Sequence, residues 1–170
     1  MLAQATTKNG ETCIQSKILI RKQPSEIWET IADLENIALF HPLIRSAHYT
    51  STERQGIGAV RECRLHPFGS LTERIAEWEY EKFYTVEVIG GSMNHPMRYL
   101  LGRLSLQNTA EGTIAEISFR YRMKFGPVGR LMNRMMIRPQ FRKAAPIYVG
   151  GLKYFCETGR VPTTTEAGKR

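Results

Sequence analysis

The feature that most constrains this chain is a change of hydrophobic period near Gly126. From Arg45 to Lys124 apolar residues recur mostly at every second position, the spacing of half-buried strands. In the last of these stretches Ala115, Ile117, Phe119, Tyr121 and Met123 share one face, and Glu116, Ser118, Arg120 and Arg122 share the other. Such a strand has one dry side and one wet side. The stretches Arg45–Glu53, Gly58–His66, Ser70–Tyr80, Phe83–Gly90, Tyr99–Asn108 and Thr113–Lys124 are divided by short punctuation at Gln55-Gly56, Pro67-Phe68-Gly69, Gly90-Gly91 and Glu111-Gly112. Short turns between consecutive strands imply an antiparallel meander. After Gly126-Pro127 the period becomes helical, through Val128, Leu131, Met132, Met135 and Met136, then Ala145, Tyr148, Val149 and Leu152, to Glu157.

Ahead of the meander, Ile14, Ser16, Ile18 and Ile20 alternate as a first strand. Pro24-Ser25-Glu26 then opens a helix, because Pro has no N–H to leave unpaired in a first turn and Glu favours the positive helix start. Ile27, Trp28, Ile31 and Leu34 keep its apolar spacing, while Asp33 and Asn36 allow a break and a second short helix. Pro42 disfavours helix at Phe40-His41. The order is therefore strand, two short helices, six strands, long helix. This is an α+β chain with a seven-stranded antiparallel sheet whose dry face must be buried. The C-terminal helix is the long amphipathic element left to cover it, so the sheet is expected to curl around that helix. Pro139 and Pro146 predict a kink or break in it.

At 170 residues the length suits one domain with a real core. The polar start, residues 1–11, reads as flexible, residues 12–159 as the domain, and residues 160–170 as a disordered tail. A hydrophobic fraction of 42% and a charged fraction of 24% exclude a disordered or collagen-like chain. No apolar run is long enough to cross a bilayer, and the opening MLAQATTKN lacks the pattern of a secretory signal. Cys13, Cys63 and Cys156 form no paired motif and read as reduced thiols in a cytoplasmic protein, at most peripheral to a membrane. His48, His66 and His95 show no metal-site spacing, and neither metal nor cofactor is expected.

Together these pieces resemble the START-like (SRPBCC, helix-grip, Bet v 1-like) superfamily, and within it the polyketide cyclase/dehydrase and lipid-transport family. The resemblance runs from Thr12 to Gly159. It is carried by Pro24-Ser25-Glu26-Ile27-Trp28, Ala32-Asp33-Leu34-Glu35-Asn36, Phe40-His41-Pro42, Gly58-Ala59-Val60-Arg61-Glu62, Thr72-Glu73-Arg74-Ile75 and Gly151-Leu152-Lys153. It implies a cavity between sheet and long helix that holds a small hydrophobic or amphipathic ligand, lipid-, polyketide- or quinone-like. The expected wall is Trp28, Phe40, His41, Ile75, Trp78, Val86, Phe119, Tyr121, Met132 and Met136; Trp28, Trp78, Phe119, Tyr121 and the methionines also read as core, and His41 as a loop histidine that fixes the turn before Pro42.

Candidates for chemistry are His41, at the expected mouth, and the charged strand residues Glu62, Arg64 and Glu73. Glu62 shares a face with Arg64, and Glu73 shares one with Ile75. Arg74, Ala76, Trp78 and Tyr80 lie opposite unless a bulge intervenes. Period counting does not say which face is inward. A surface cross-strand ion pair is the simple reading. The alternative is a buried Glu–Arg pair that polarises a ligand carbonyl, as an aromatase/cyclase-type enzyme would use to steady an enolate.

The net charge is +8, and from Ile117 to Cys156 there is no Asp or Glu. Arg130, Arg134, Arg138 and Arg142 recur every four residues, a stripe drifting about 40° per step on an ideal helix. Beside the methionines this is the layout of a helix that meets an acidic membrane surface, or else a solvated face over core methionines. Nucleic acid is disfavoured, since no recognition motif is present and no aromatics interleave the stripe.

Overall fold

The computed structural model describes residues 3–67, 69–92 and 96–168. Its sheet contains β1 (Gln4–Lys8), β2 (Glu11–Ile20), β3 (Ile44–Tyr49), β4 (Val60–Leu65), β5 (Ser70–Glu79), β6 (Phe83–Gly90), β7 (Met97–Thr109) and β8 (Gly112–Met123). All neighbours are antiparallel, in the order β1-β2-β8-β7-β6-β5-β4-β3. Helix α1 (Pro24–Ala32), a 3-10 turn (Leu34–Asn36) and α2 (Ile37–Phe40) separate β2 from β3. After β8 come α3 (Gly126–Met132), a π turn (Asn133–Ile137), α4 (Arg138–Thr158) and α5 (Thr164–Gly168).

Local chemistry sets the helix starts and stops. Pro24 sits in the first turn of α1, and Glu26 Oε2 accepts the Gln23 N–H at 2.9 Å. Asp33 Oδ1 accepts the Glu35 N–H at 3.0 Å and so caps the 3-10 turn. Pro42 holds only His41 extended, and α2 runs to Phe40, one residue further than the Pro42 reading expects.

The sheet has eight strands rather than seven. The added β1 is a polar edge strand with Ala5 as its one apolar residue, packed against the core, which is too little for hydrophobic period to reveal it. It is joined to β2 by Asn9-Gly10, both at positive φ (51° and 77°), the backbone a two-residue hairpin turn requires. At the other end, α5 occupies part of the expected tail. Its Ala167 is buried against Gly150, where an added Cβ would lie 1.9 Å from the Ala167 carbonyl oxygen.

Helix α4 crosses the inner face of the sheet against β2 and β8. Ala145, Val149 and Leu152 from the helix meet Ile14, Ile20, Leu104, Ala115 and Ile117 from the strands, all buried. Full burial of each large aliphatic side chain contributes about 1.5–3 kcal/mol. Gly151 lets the helix press on α2, since a Cβ there would lie 2.0 Å from the Phe40 carbonyl oxygen. Pro146 is accommodated inside α4, and the interruption falls earlier, at the π turn before Pro139. Pro139 cannot donate to the carbonyl four residues back, and a wider turn ahead of it absorbs that loss.

Candidate ligand site

On β4 the inward residues are Ala59, Arg61 and Cys63, all buried, with Ala59 just ahead of the strand. Glu62 and Arg64 point outward, where Glu62 lies 3.8 Å from Arg64 and 4.0 Å from His48. These two candidates are therefore surface groups. Glu73 on β5 stands directly opposite Arg61. Arg61 Nε donates to Glu73 Oε2 at 2.8 Å, its Nη2 reaches the same oxygen at 2.8 Å, and its Nη1 donates to the Leu34 carbonyl at 2.8 Å. The Arg61 side chain is 2% exposed and Glu73 13%. Sequence pattern gives Glu73 no partner and passes over Arg61, whose only signal is its place between Ala59 and Cys63 on an apolar alternation.

The pair organises its surroundings. Burial opposes the Arg61 charge, but Glu73, aided by Cys63, Tyr84 and Tyr148, outweighs it and holds the guanidinium above its ordinary range. The Cys63 thiol donates to Glu73 Oε2 at 3.6 Å, and burial pushes it up to about 12, so it remains a thiol. The Tyr84 and Tyr148 hydroxyls meet at 3.4 Å, and burial raises both phenols. His41 is buried edge-on to Tyr148, ring centres 5.2 Å apart. Its Nδ1 accepts the Leu43 N–H at 3.3 Å, which leaves the proton on Nε2. Burial lowers His41 to about 4, with Glu73 pulling it up and Arg61 pushing it down. At neutral pH it is an uncharged ring that carries its proton on Nε2.

Aromatic rings wall this cluster. A bulge between Ile75 and Glu77 turns Trp78 to the inner side with Ile75. Trp78 then stacks on Tyr84 at 5.9 Å, and Trp28 meets Trp78 edge-on at 4.9 Å. Phe40 lies 5.6 Å and Phe119 6.5 Å from Tyr148. Val86 is buried on the same face. Trp28, Phe40, His41, Ile75, Trp78, Val86 and Phe119 are thus brought together, and they close on one another. Trp28 is 2% exposed, and its indole Nε1–H has no acceptor among the described residues.

Towards the start of α4 the wall changes. Tyr121 stacks on Phe141 at 5.0 Å and donates to Asn133 Oδ1 at 2.8 Å, while Asn133 Nδ2 donates to Thr12 Oγ1 at 2.9 Å. Met132 is half-buried. Met136 is exposed, contrary to its expected place on the wall, because the π turn rotates it outward. Beyond lies an open cavity of about 540 Å³, lined by Arg98, Arg122, Arg130, Arg134 and Arg138 beside Met123. The extra residue per turn in the π segment offsets the drift of the stripe and keeps Arg130, Arg134 and Arg138 on one side. Arg142 falls outside this cavity. A second cavity, about 310 Å³, lies on the wet face by Arg103 and Glu77.

Among the described residues no three His, Cys, Asp or Glu side chains gather to hold a metal, and no helix is long and apolar enough to cross a membrane. His95 lies outside the described residues. Cys13, Cys63 and Cys156 are free thiols.

The family profile described as polyketide cyclase/dehydrase and lipid transport matches residues 11–153. No curated protein matches. Among solved structures, that of Ara h 8.0201 aligns at a TM-score of 0.70 and 12% identity, covering 88% of this chain and 99% of that one. TTHA0849 from Thermus thermophilus aligns at 0.70 and 15%, covering 86% and 98%. XoxI from Bacillus cereus aligns at 0.64 and 13%, covering 86% and 96%. At these identities the likeness establishes the shared helix-grip fold.

Proposed function

Because the chain belongs to the polyketide cyclase/dehydrase and lipid transport family, we propose that it binds one small apolar molecule bearing carbonyl oxygens between the sheet and α4. The observation that carries this reading is the buried Trp28 Nε1–H, a donor without an acceptor among the described residues, inside an aromatic wall. Leaving such a group unpaired costs about 1–3 kcal/mol, which an acceptor on a ligand recovers. The polar atoms around it favour the same partner. The His41 Nε2–H and one hydroxyl of the Tyr84–Tyr148 pair are further donors, and Arg61 is held in place by Glu73. Stacked rings suit a planar body, so a quinone- or polyketide-like ketone fits better than a simple fatty chain. Binding requires Trp78 or Phe119 to swing from its present contacts, since the rings touch one another.

Native mass spectrometry of freshly purified protein, with extraction after denaturation, is the test. The expected result is one small apolar molecule per chain, or a gain in melting temperature when neutral planar ketones are added. Bare protein with no such gain would overturn the proposal.

The buried Arg61–Glu73 pair favours a second reading, an aromatase/cyclase-type enzyme in which Arg61 steadies an enolate on a poly-ketone substrate. Glu73 Oε2 is already taken by Arg61 and Cys63, which leaves Oε1 to meet a substrate proton. Turnover of a linear poly-ketone to a cyclised product, lost in Glu73→Gln, would establish that reading. Binding without turnover would leave the carrier.

A further inference from the structure

The arginine-lined end of the molecule takes no part in the interior site and has its own chemistry. We propose that α3 and the π turn form a docking arm for an acidic lipid bilayer, and that the arginine cavity behind them seats a lipid headgroup phosphate or carboxylate.

Three observations carry the proposal. First, Phe125, Val128, Leu131, Met135 and Met136 are 57–69% exposed within twelve residues of chain. Val128, Leu131 and Met135 follow one another at helical spacing, so the apolar surface is contiguous rather than scattered. Second, the cavity beside them is lined by five arginines and no acid, and none of those arginines pairs with a carboxylate among the described residues. The near acid, Glu11, accepts from the Tyr99 hydroxyl and lies 3.9 Å from Arg120, which is not among the five. Third, Arg138 is fixed in the cavity wall. Its Nη2 donates to the Ala5 carbonyl at 3.1 Å, while its buried Nε–H has no acceptor among the described residues. A guanidinium N–H held there is a ready donor to an anionic oxygen.

Charge and greasiness together select the occupant. A second copy of the chain joined face to face would set arginines against arginines. A nucleic acid backbone would use the arginines and leave the apolar residues wet. An acidic bilayer takes both, the side chains entering the acyl boundary and the cations meeting the headgroups. This arm works whether or not the interior holds a ligand.

The test is co-sedimentation of the full chain with vesicles of phosphatidylcholine alone and of phosphatidylcholine with about 30% phosphatidylserine, near 0.1 M salt. Binding is expected only to the acidic vesicles and should weaken about tenfold or more by 0.5 M salt. Arg130→Glu with Arg134→Glu should lower the partition coefficient about 100-fold or more. Leu131→Ser with Met135→Ser should lower it about tenfold or more. All four side chains are exposed, so unchanged circular dichroism and melting temperature are expected of both variants. Wild-type protein that ignores the acidic vesicles overturns the proposal, as does binding that both double variants retain. Retention on heparin without vesicle binding, or capture by a soluble acidic protein alone, overturns it equally.

Discussion

Arginine plays opposite parts at the two ends of this molecule. In the interior a single guanidinium, Arg61, is 2% exposed and has an acid across the strand, a carbonyl at 2.8 Å and aromatic rings around it. Between α3 and the β1–β2 hairpin, five guanidinium groups line one open cavity with no acid among them. The interior arginine is part of the fold, because removing it strands Glu73 in a poorly hydrated place. Of the cavity arginines, Arg138 and Arg122 are tied to backbone carbonyls, while Arg130 and Arg134 are exposed, and none of the five pairs with a carboxylate among the described residues. Each region also keeps a buried donor without an acceptor among the described residues, Trp28 Nε1 inside and Arg138 Nε at the end. A buried charge with a partner holds the fold together, whereas accessible charge without a carboxylate partner leaves room for the docking role proposed above.

The widest separation between the regions should appear in stability. Arg61→Met leaves Glu73 without its cation and is expected to cost about 3–5 kcal/mol in urea unfolding. Adding Glu73→Leu should restore most of that loss. If Arg61→Met were neutral, the interior pair would not be part of the fold.

Acid comes next. His41 titrates near 4 in the fold against 6.5 when unfolded, because burial disfavours its charge. The unfolded chain therefore takes up the proton first as pH falls. Stability contributed by the neutral ring is fully present above about 6.5 and is lost between 6.5 and 4, a total of about 3 kcal/mol. His41→Gln should flatten that part of the stability–pH curve, as followed by urea midpoints. Arg134 is exposed at the other end of the molecule and does not touch His41, so Arg134→Ala should leave the curve's shape unchanged.

Tyr148→Phe removes the 3.4 Å hydroxyl contact to Tyr84 and is expected to cost about 0.5–1.5 kcal/mol. Arg134→Ala should sit at the bottom of the scale, within about 0.5 kcal/mol of wild type in thermal unfolding. A cost near that of Arg61→Met would erase the contrast between the regions.

Much of the fold is legible in the sequence because period and punctuation act locally. The alternation of β5 to β8, the Pro24–Glu26 helix start and the dry face of β8 follow from residue order alone. The features that build the site are non-local. Arg61 sits on a dry face against its type, and only its register opposite Glu73 explains it. Trp78 reaches the inner side through a bulge that no residue near Ala76 announces. The arginine stripe is visible in the sequence, but its gathering into one cavity depends on the π turn, which replaces the ideal drift. The strand β1 is hidden because it carries a single apolar residue, Ala5, although Asn9-Gly10 marks its turn.

Both proposed occupants can be tested in one nitrogen-15 proton correlation spectrum, since the chain has only two tryptophans, Trp28 and Trp78. Trp28→Phe assigns the Trp28 indole signal. A neutral planar ketone such as flavone is expected to shift that signal and leave the amides of Val128, Leu131 and Met135 in place, while acidic bicelles are expected to broaden those amides and leave the indole unmoved. Perturbation of both sets by either partner, or a Trp28 indole indifferent to every neutral ketone tried, would contradict the division of the molecule into a ligand-holding interior and a charged docking end.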